Sequence, residues 1–506
     1  MGREVKQRVP SKCNSRYNQI AIFLILLVCY IYFLPRWADW NQNSRFDLVL
    51  SIVDEHTLSI DSYYMNTGDY ALYDGHYYSD KAPGMSFLAV PVYAAFRSIA
   101  SVPSVAAVLE RVAASPAFGE TLRAEGSGLL ADKVRFAAAL TLATWVVVSL
   151  PSALAGMLLY SLLGSLFVSE FRKVLVTLGY GLGTNAFPYA GSFYSHQLVA
   201  ALLFFAFYLI FQRRGQAMSA KRLLLIGLLL GYAVITEYPT ALIAGALFLY
   251  AGFLLRDRRG FGYVILGCLP PVVLLAAYDL AAFGTALPAG YAHSALWTQP
   301  HHTGFMSLTY PKWDALWGLT FSPYRGLFFL SPFALLGAIG FVPFFREKDF
   351  RAESLVCLFA VVSFLLFNAS SVMWWGGFAV GPRYMVPALP FLAVPAAFLL
   401  KSMPERRIWG VLLAMLVSIS ILTVGAVSIA GQNYPPEAFH FPLRDIAMPS
   451  LAAGDVARNL GMVFHLPAWQ SLLPLVAVIT LLLVMLHGLS RRTYTLPPKE
   501  ESYVHV

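Results

Sequence analysis

The sequence predicts an all-α polytopic membrane protein with about 12 transmembrane helices and a long first outer loop that carries juxtamembrane helices. Two observations predict this class. Hydrophobic residues make up 58% of the 506 residues and charged residues only 12%, whereas soluble domains carry about 25% charged residues. Apolar runs of about 15 to 25 residues recur between short charged stretches, and this length spans a hydrocarbon layer of roughly 30 Å.

The N-terminal segment is rich in lysine and arginine and leads into the first apolar run. Residues 1–19 hold the basic side chains, and residues 20–35 are apolar up to Pro35. No small-residue cleavage site follows, as a cleaved signal peptide would require. We expect 1–19 to be a cytoplasmic tail and 20–35 to be an uncleaved first span.

Lysines and arginines mark one side of the membrane. Beyond residue 136 they concentrate in every second connection, and the positive-inside rule assigns these connections to the cytoplasm. This topology explains the net charge of +9, so the charge does not indicate a nucleic-acid partner. The basic connections contain Arg172 and Lys173; Arg213, Arg214, Lys221 and Arg222; Arg256, Arg258 and Arg259; Arg346, Lys348 and Arg351; Lys401, Arg406 and Arg407; and Arg491, Arg492 and Lys499.

The apolar segment 84–100 decides the topology, because counting it as a full span would invert everything that follows. The N-terminus and the loop at Arg172 can both be cytoplasmic only if an even number of spans separates them. We therefore expect 84–100 to be a non-crossing helix, interfacial or re-entrant, within one outer catalytic loop at 36–135.

The rest of the chain divides into spans and loops on the same basis. A transmembrane bundle is expected at 136–488, and a cytoplasmic tail at 489–506. The expected outer loops are 188–197, 284–326, 369–385 and 431–466. The expected spans are 136–163, 174–188, 198–212, 222–236, 239–255, 261–283, 327–345, 354–368, 386–400, 408–430 and 467–488.

Acidic residues gather in the first part of the outer loop. Hydrophobic residues recur there at helical spacing from Phe46 to Val53, while Asp47 and Asp54 share the opposite face. This pattern predicts an amphipathic helix on the outer membrane surface with its acidic face toward water, and a solvated loop is the alternative. The acids are Asp39, Asp47, Asp54, Glu55, Asp61, Asp69, Asp74 and Asp80.

Lys81 comes just before the predicted non-crossing helix, whose first turn Pro83 fits. The free backbone amides of a helix N-terminus and a cation together favour a phosphate. Lys81 is therefore a candidate phosphate ligand. The alternative is a lysine that snorkels to the membrane boundary.

The first outer loop contains a distinctive set of residues: Arg45, Ile60, Asp61, Asp69 and the run Gly75-His76-Tyr77-Tyr78-Ser79-Asp80-Lys81-Ala82-Pro83-Gly84. With these residues the loop resembles that of the C-type glycosyltransferase (GT-C) superfamily, which includes protein O-mannosyltransferases and lipid A aminoarabinose transferases. The resemblance implies a long first outer loop followed by a bundle of spans. It also implies transfer of a sugar from a polyprenyl-phosphate donor at the outer face.

The chain departs from this resemblance at one position. Such enzymes carry an acid about three residues before the arginine that matches Arg45, and here Gln42 stands at that place. An amide cannot act as a base, so a nearby carboxylate must supply the chemistry, or the chain is inactive. The candidate catalytic acids are Asp69, Asp47, Asp54 and Asp80.

Further candidates lie in the later outer loops. His196 occupies the region where the family often places a second acid, and Glu237 is an acid close to hydrocarbon, which is costly unless it is used or paired. A structural histidine is the alternative for His196. With these two residues, the expected substrate-binding residues are His76, Tyr78, Tyr194, Trp375 and Tyr384.

Two arginines reach the outer ends of spans within glycine- and aromatic-rich turns. Arg325 and Arg383 could hold a phosphate together with Lys81 and Arg45, while neighbouring aromatic rings stack on a sugar. The alternative is that both arginines anchor helix ends at lipid head groups.

A metal is not required by this scheme, because cationic side chains can neutralise a phosphate. The acid-rich loop is compatible with a divalent cation. His293, His301 and His302 cluster in the 284–326 loop, but no acid at ligand spacing accompanies them, so they are a weak metal signal.

The expected function is that of an inverting glycosyltransferase of a plasma or inner membrane, acting on its extracytoplasmic side. A carboxylate would deprotonate an acceptor hydroxyl while cations stabilise the leaving polyprenyl phosphate. The acceptor, whether lipid, glycan or protein, stays open. A transporter or lipid flippase is one rival, and a non-catalytic glycan-binding protein is another.

Overall fold

The structure is a computed structural model, and it describes residues 12–36, 39–114, 130–166, 168–255, 259–296, 298–299, 303–304, 307–404 and 406–492. Helices dominate these residues. The helices of ten or more residues are Lys12–Tyr32, Trp40–Leu50, Gly84–Ala100, Pro103–Ala113, Leu130–Thr144, Leu150–Ser165, Glu170–Gly183, Ser195–Phe211, Ala220–Thr236, Ala241–Leu254, Arg259–Phe283, Ala334–Arg346, Arg351–Ala369, Leu389–Ser402, Arg407–Ile429 and Leu473–Arg492.

Shorter helical pieces join or extend these helices. Short α-helices are Ala186–Ala190, Trp313–Thr320, Leu327–Leu330, Met448–Ala452 and Leu460–Val463. Tighter 3₁₀ turns are Tyr64–Asn66, Tyr238–Thr240, Gly290–His293, Lys348–Phe350, Arg383–Ala388 and Ala468–Leu472, and π-helical turns are Ser51–Glu55, Trp145–Ser149 and Leu443–Ala447.

Among the described residues, 6 helices are long and apolar enough to cross a membrane. They are 133–165, 260–283, 348–369, 383–402, 407–429 and 468–486, and shorter apolar helices cover 16–32, 195–211, 238–254 and 334–346. The predicted class of helical polytopic membrane protein is confirmed. The count of 12 spans stays a prediction.

The segment expected not to cross the membrane is bent. The helix Gly84–Ala100 continues into Pro103–Ala113 with a change of direction of 95°. Proline forces the residue before it out of the helical region, and Val102 is extended at φ −69° and ψ 127°. The bend is compatible with a re-entrant helix pair, and whether the segment crosses stays a prediction.

Loops expected on the same side of the membrane contact each other. At the predicted outer end, Arg36 donates to the carbonyl of Ser428 over 2.7 Å. At the predicted inner end, Asn18 donates to Glu170 over 3.3 Å, and Lys401 lies 3.1 Å from Glu347. The bundle therefore has two chemically distinct ends, and the charge pattern alone predicts which one faces the cytoplasm.

The first-loop helix Trp40–Leu50 is buried and does not lie on the surface. Every residue from Gln42 to Leu50 is buried, Asp47 included. The expectation of an acidic face toward water is therefore wrong for this helix. Apolar spacing showed one packed face, but the outer loop and the bundle cover the other face as well.

The loop also contains a small antiparallel sheet that the all-α prediction did not include. Strands Tyr70–Tyr73 and His76–Ser79 pair with Tyr70 opposite Ser79. The turn between them has positive φ at Asp74 (49°) and Gly75 (81°), and Asp-Gly is the pair that such a hairpin turn prefers. The hairpin presents its last strand directly before Asp80 and Lys81.

Candidate active site

Lys81 is held between two carboxylates of its own loop. Its Nζ lies 2.9 Å from Asp69 Oδ2 and 3.1 Å from Asp80 Oδ1, and its side chain is only 10% exposed. The hairpin places Asp69 before its first strand and Asp80 after its second, so the two acids converge on the lysine. The structure thus brings together three residues that the sequence nominated separately.

Burial and neighbouring charges act in opposite directions on the pKa values of Lys81 and Asp80. Burial by itself lowers the pKa of Lys81, but the neighbouring charges of Asp69 and Asp80 outweigh it and raise the pKa. Burial raises the pKa of Asp80, while the charge of Lys81 opposes the rise. Ser294 donates to Asp80 over 3.1 Å and links the later 284–326 loop to the cluster.

Arg45 joins this cluster to a second polar group. Its guanidinium donates to the carbonyl of Ala82, the residue after Lys81, over 3.1 Å and to Ser195 Oγ over 3.2 Å. Ser86 donates to the Arg45 carbonyl over 2.7 Å. Arg45 was expected to bind a phosphate, but both of its terminal nitrogens donate to protein oxygens and hold the first loop against the bundle.

The second polar group is a histidine paired with a glutamate. His196 Nδ1 lies 2.8 Å from Glu237 Oε2, and Ser195 donates to the same oxygen over 3.0 Å. His196 Nε2 is buried and has no hydrogen-bond partner within the described part of the chain. The hydrogen-bond network assigns the proton to Nδ1, so Nε2 is left as a proton acceptor.

Arg383 lies among aromatic hydroxyls beside the histidine. It donates to Tyr384 Oη over 3.0 Å and to Tyr194 Oη over 3.4 Å, and its guanidinium is 5.3 Å from the Tyr194 ring centre. Gly376, at φ 74°, makes this approach practicable, since a Cβ there would lie 2.9 Å from Arg383 Nε. The glycine-rich turn therefore sets the position of the arginine.

Asp39 is a site residue whose role the sequence reasoning missed. It accepts a hydrogen bond from Tyr194 Oη over 2.6 Å and caps the first-loop helix by accepting from the amide of Gln42 over 3.1 Å. Burial raises its pKa, while the tyrosine hydrogen bond and the charge of Arg383 oppose the rise. Its position just before a helix was the available signal, because aspartate is a preferred N-cap.

Gln42, at the position where the resemblance expects an acid, has a structural role. It is fully buried. Its side chain donates to the carbonyl of Arg36 over 2.9 Å and accepts from the amide of Phe193 over 2.7 Å. A carboxylate could not donate the first of these bonds.

Two of the nominated acids lie outside the group around Lys81. Asp47 accepts from Asn66 over 3.2 Å, and burial raises its pKa well above its usual value. Asp54 accepts from Tyr93 over 2.7 Å and lies 3.1 Å from Arg97, which fixes the bent helix pair to the loop. Both acids are engaged in packing the loop.

Other nominated residues also have local partners. Arg325 is buried and donates to the carbonyls of Gly377 over 2.7 Å, Pro435 over 3.3 Å and Ala379. Trp375 donates to Glu437. Because both terminal nitrogens of Arg325 donate to backbone carbonyls, this arginine stabilises the turn that carries Arg383.

The hairpin carries the remaining candidates. His76 is exposed and lies 2.7 Å from Asp61, while the Tyr78 ring lies 5.1 Å from the Phe283 ring. His76 therefore lies on the open side of the hairpin, and Tyr78 packs toward the bundle.

Within the described residues, no group of three or more His, Cys, Asp or Glu side chains could hold a metal ion. His293 stacks on Phe283 with ring centres 5.8 Å apart. His301 and His302 lie outside the described residues.

The architecture and this cluster define a helical membrane protein with a buried ionic group at one end of its bundle. No family model matches the chain, and no curated protein matches it.

Solved structures of ArnT from Cupriavidus metallidurans are similar to this chain. The structure in the apo state is 14% identical with a TM-score of 0.48, and the match covers 94% of this chain and 75% of that one. The form bound to undecaprenyl phosphate is similar at 15% identity and TM-score 0.42, over 94% of this chain and 74% of that one.

The archaeal oligosaccharyltransferase AglB from Archaeoglobus fulgidus, in complex with an inhibitory peptide and a dolichol-phosphate, is similar at 10% identity. Its TM-score is 0.43, and the match covers 82% of this chain and 56% of that one. All these similarities have TM-scores below 0.5.

Proposed function

We propose that this protein is a glycosyltransferase that takes a sugar from a polyprenyl-phosphate donor at the extracytoplasmic end of the bundle. The observation that carries the proposal is the buried Lys81 between Asp69 and Asp80. Ionised groups at a membrane boundary are costly, and a set of them that converges in one place is a functional-site signal.

The cations of the site supply what a phosphate leaving group requires. Lys81 and Arg383 are the proposed phosphate ligands, because an ammonium has three donors and a guanidinium five. Arg45 and Arg325 have a supporting role, because their donors already bind other protein groups. Arg45 donates to Ala82 and Ser195, and Arg325 donates to the turn at Gly377. Charge-assisted bonds to a departing phosphate strengthen as its charge develops.

The reaction also needs a group that accepts the acceptor's proton. In an inverting transfer the acceptor oxygen forms a bond to the anomeric carbon as the bond to the phosphate oxygen breaks, and the proton passes to a base. Asp69 is the proposed base. The carboxylate of Asp39 and the Nε2 of His196, which has no hydrogen-bond partner among the described residues, are the groups that could share the proton.

The lipid tail of the donor explains why such a site lies at the edge of a bilayer. A polyprenyl chain stays in the membrane while its phosphate reaches the boundary, so the sugar is transferred where the first outer loop meets the helices. The acceptor is a hydroxyl of a lipid, a glycan or a protein.

Turnover of a labelled polyprenyl-phosphate sugar by the purified full-length protein in liposomes tests the proposal. A transferase releases free polyprenyl phosphate and labels an acceptor. A transporter would move the label across the membrane with the sugar still attached, and a glycan-binding protein would retain it unchanged. Either of the last two results contradicts the proposal.

A further inference from the structure

A groove opens at the predicted inner end of the bundle, whereas the site described above lies at the predicted outer end. It lies between the helices Glu170–Gly183 and Arg407–Ile429 and encloses about 660 Å³, within the range of about 300–1,000 Å³ that small-molecule sites occupy. Its polar end is formed by Arg172, Arg406 and Arg407. No acid is among the described residues that line it.

The three arginines present positive charge to the groove in two ways. Arg172 is buried and donates to the carbonyls of Met403 over 3.2 Å, Pro404 over 2.9 Å and Leu400, so its charge is fixed in place. Arg406 and Arg407 are exposed. Over the described ranges, no acid forms an ion pair with either of them.

The helix that begins at Arg407 adds to this field. It runs for 23 residues, and no side chain caps its first turn. The Trp409 amide donates to the Arg406 carbonyl over 3.1 Å. The amides of Arg407 and Ile408, which precede it, can donate to an anion, and the helix dipole favours negative charge there.

The other half of the groove is apolar and open to the side. Phe171, Val411 and Met415 line it and are 54%, 46% and 55% exposed. In a helical membrane protein such side chains contact lipid. Met415 lies eight residues beyond Arg407, about 12 Å along the helix, so the groove has a cationic head end and an apolar tail end.

We propose that this groove binds one anionic phospholipid of the inner leaflet, with its phosphate at Arg406 and Arg407 and its acyl chains along Val411 and Met415. Basic pockets between transmembrane helices on the cytoplasmic side suit anionic head groups. A soluble phosphate compound would use the polar end alone. A zwitterionic lipid would bring no net charge to balance the three arginines.

The test uses the full-length protein in mixed micelles, with phosphatidylglycerol retained on the protein counted by native mass spectrometry. Phosphatidylcholine and inorganic phosphate are the comparison ligands. The variant Arg406→Gln/Arg407→Gln is compared with Arg346→Gln/Arg351→Gln, which removes two exposed charges from the same predicted side but outside the groove. At about 1 kcal/mol per cation, the groove variant should lose about 30-fold in phosphatidylglycerol affinity, and the control little.

A second variant tests the apolar half without changing charge. Val411→Trp fills the lipid-facing side of the groove, and its exposed position makes it compatible with folding. It should weaken phosphatidylglycerol and leave inorganic phosphate unaffected. Equal losses in the two arginine variants, equal retention of both lipids, or a Val411→Trp protein that binds phosphatidylglycerol as well as the wild type would each overturn the proposal.

Discussion

The carboxylate of Glu237, whose side chain is 11% exposed, lies 2.8 Å from Nδ1 of His196. This contact fixes the imidazole and leaves Nε2 as an acceptor without a hydrogen-bond partner in the described structure. A base held by a second group in this way is the arrangement that enzymes use to move protons. It occupies the region where the sequence resemblance expects an acid, so the pair is a natural participant in the proposed transfer.

His196→Gln should lower the rate of transfer by less than the roughly 10²–10⁴-fold that a general base contributes, because Asp69 is the proposed base and His196 only shares its proton. Glu237→Gln should lower it less, since the imidazole stays but loses its orienting carboxylate. If His196 accepts the proton, the wild-type rate falls as the pH drops and the imidazole is protonated, and this acid limb should shift or vanish in Glu237→Gln. The pH–rate profile of each variant measures this.

His440→Gln is the matched control, because His440 is an exposed histidine of the predicted outer end that packs on Tyr324. An unchanged profile in His196→Gln would assign His196 a packing role only.

Lys81→Ala and Arg383→Ala should each weaken use of the donor by roughly 10- to 150-fold, since a charge-assisted bond in a desolvated site contributes about 1.5–3 kcal/mol. Lys312→Ala, at the start of the helix Trp313–Thr320, should have little effect. The quantity to compare is kcat/KM for the donor. Similar mild effects in all three variants would remove the proposed phosphate site.

Loss of Lys81 also leaves Asp69 and Asp80 uncompensated, so thermal unfolding must be followed in parallel. Removing one partner of a buried ion pair costs about 3–5 kcal/mol of stability. Lys81→Arg keeps the charge and separates the two effects.

Asp47→Asn should change how stability depends on pH. Burial raises the pKa of Asp47 well above its usual value, so the folded protein keeps a proton that the unfolded chain loses above about pH 4. Wild-type stability therefore falls as the pH rises from about 4 toward the folded pKa, by at most about 1.4 kcal/mol per pH unit. The asparagine variant lacks this fall, and chemical unfolding at pH 4 and pH 7 measures it. A wild-type protein that gains stability over this interval relative to the variant would contradict the prediction.

The topology makes a prediction that does not depend on activity. Cysteines introduced at Ser101, beside the 95° bend, and at Ser169, before the helix Glu170–Gly183, should react with a membrane-impermeant reagent from opposite sides. The position at Ser101 should react from outside. The native thiols Cys29 and Cys357 are buried and should label little, and Cys13 and Cys268 are replaced by serine before labelling. Labelling of both positions from the cytoplasm would invert the assignment of the loop.

The sequence predicted the class of the fold better than the packing of its first loop. Apolar run lengths define helices wherever lipid is the solvent, but no pattern shows whether the opposite face of a helix meets water or protein. For this reason the sequence predicted that Asp47 faces water, although the structure shows it buried. The Asp74-Gly75 pair indicates a hairpin turn, but the prediction for this loop included helices only.

The candidate site was predictable only in part, for a related reason. Lys81, Asp69 and Asp80 lie close in sequence, so one hairpin brings them together. The pairing of His196 with Glu237 and of Tyr194 with Asp39 joins distant segments, and only the folded bundle sets such contacts. Likewise Arg325 and Arg383 share the same sequence signal, but one donates to backbone carbonyls and the other to tyrosine hydroxyls.

Asp69→Asn is the sharpest test of the proposed chemistry. The carboxylate lies 2.9 Å from Lys81 Nζ, and the Thr67 hydroxyl accepts a hydrogen bond from the Asp69 amide over 3.0 Å, which holds the backbone in place. Asparagine keeps the size of the side chain and can still accept from the lysine, but it cannot take up a proton at neutral pH. We expect a fall in rate of about 10²-fold or more with donor binding largely kept, measured as kcat against KM.

The matched control is Asp74→Asn, which removes an exposed acid of the same loop at the turn of the hairpin and should transfer sugar normally. A folded Asp69→Asn protein that works at the wild-type rate would make Asp69 a structural partner of Lys81. The role of base would then pass to Asp39, because its carboxylate accepts from the Tyr194 hydroxyl, to which Arg383 also donates.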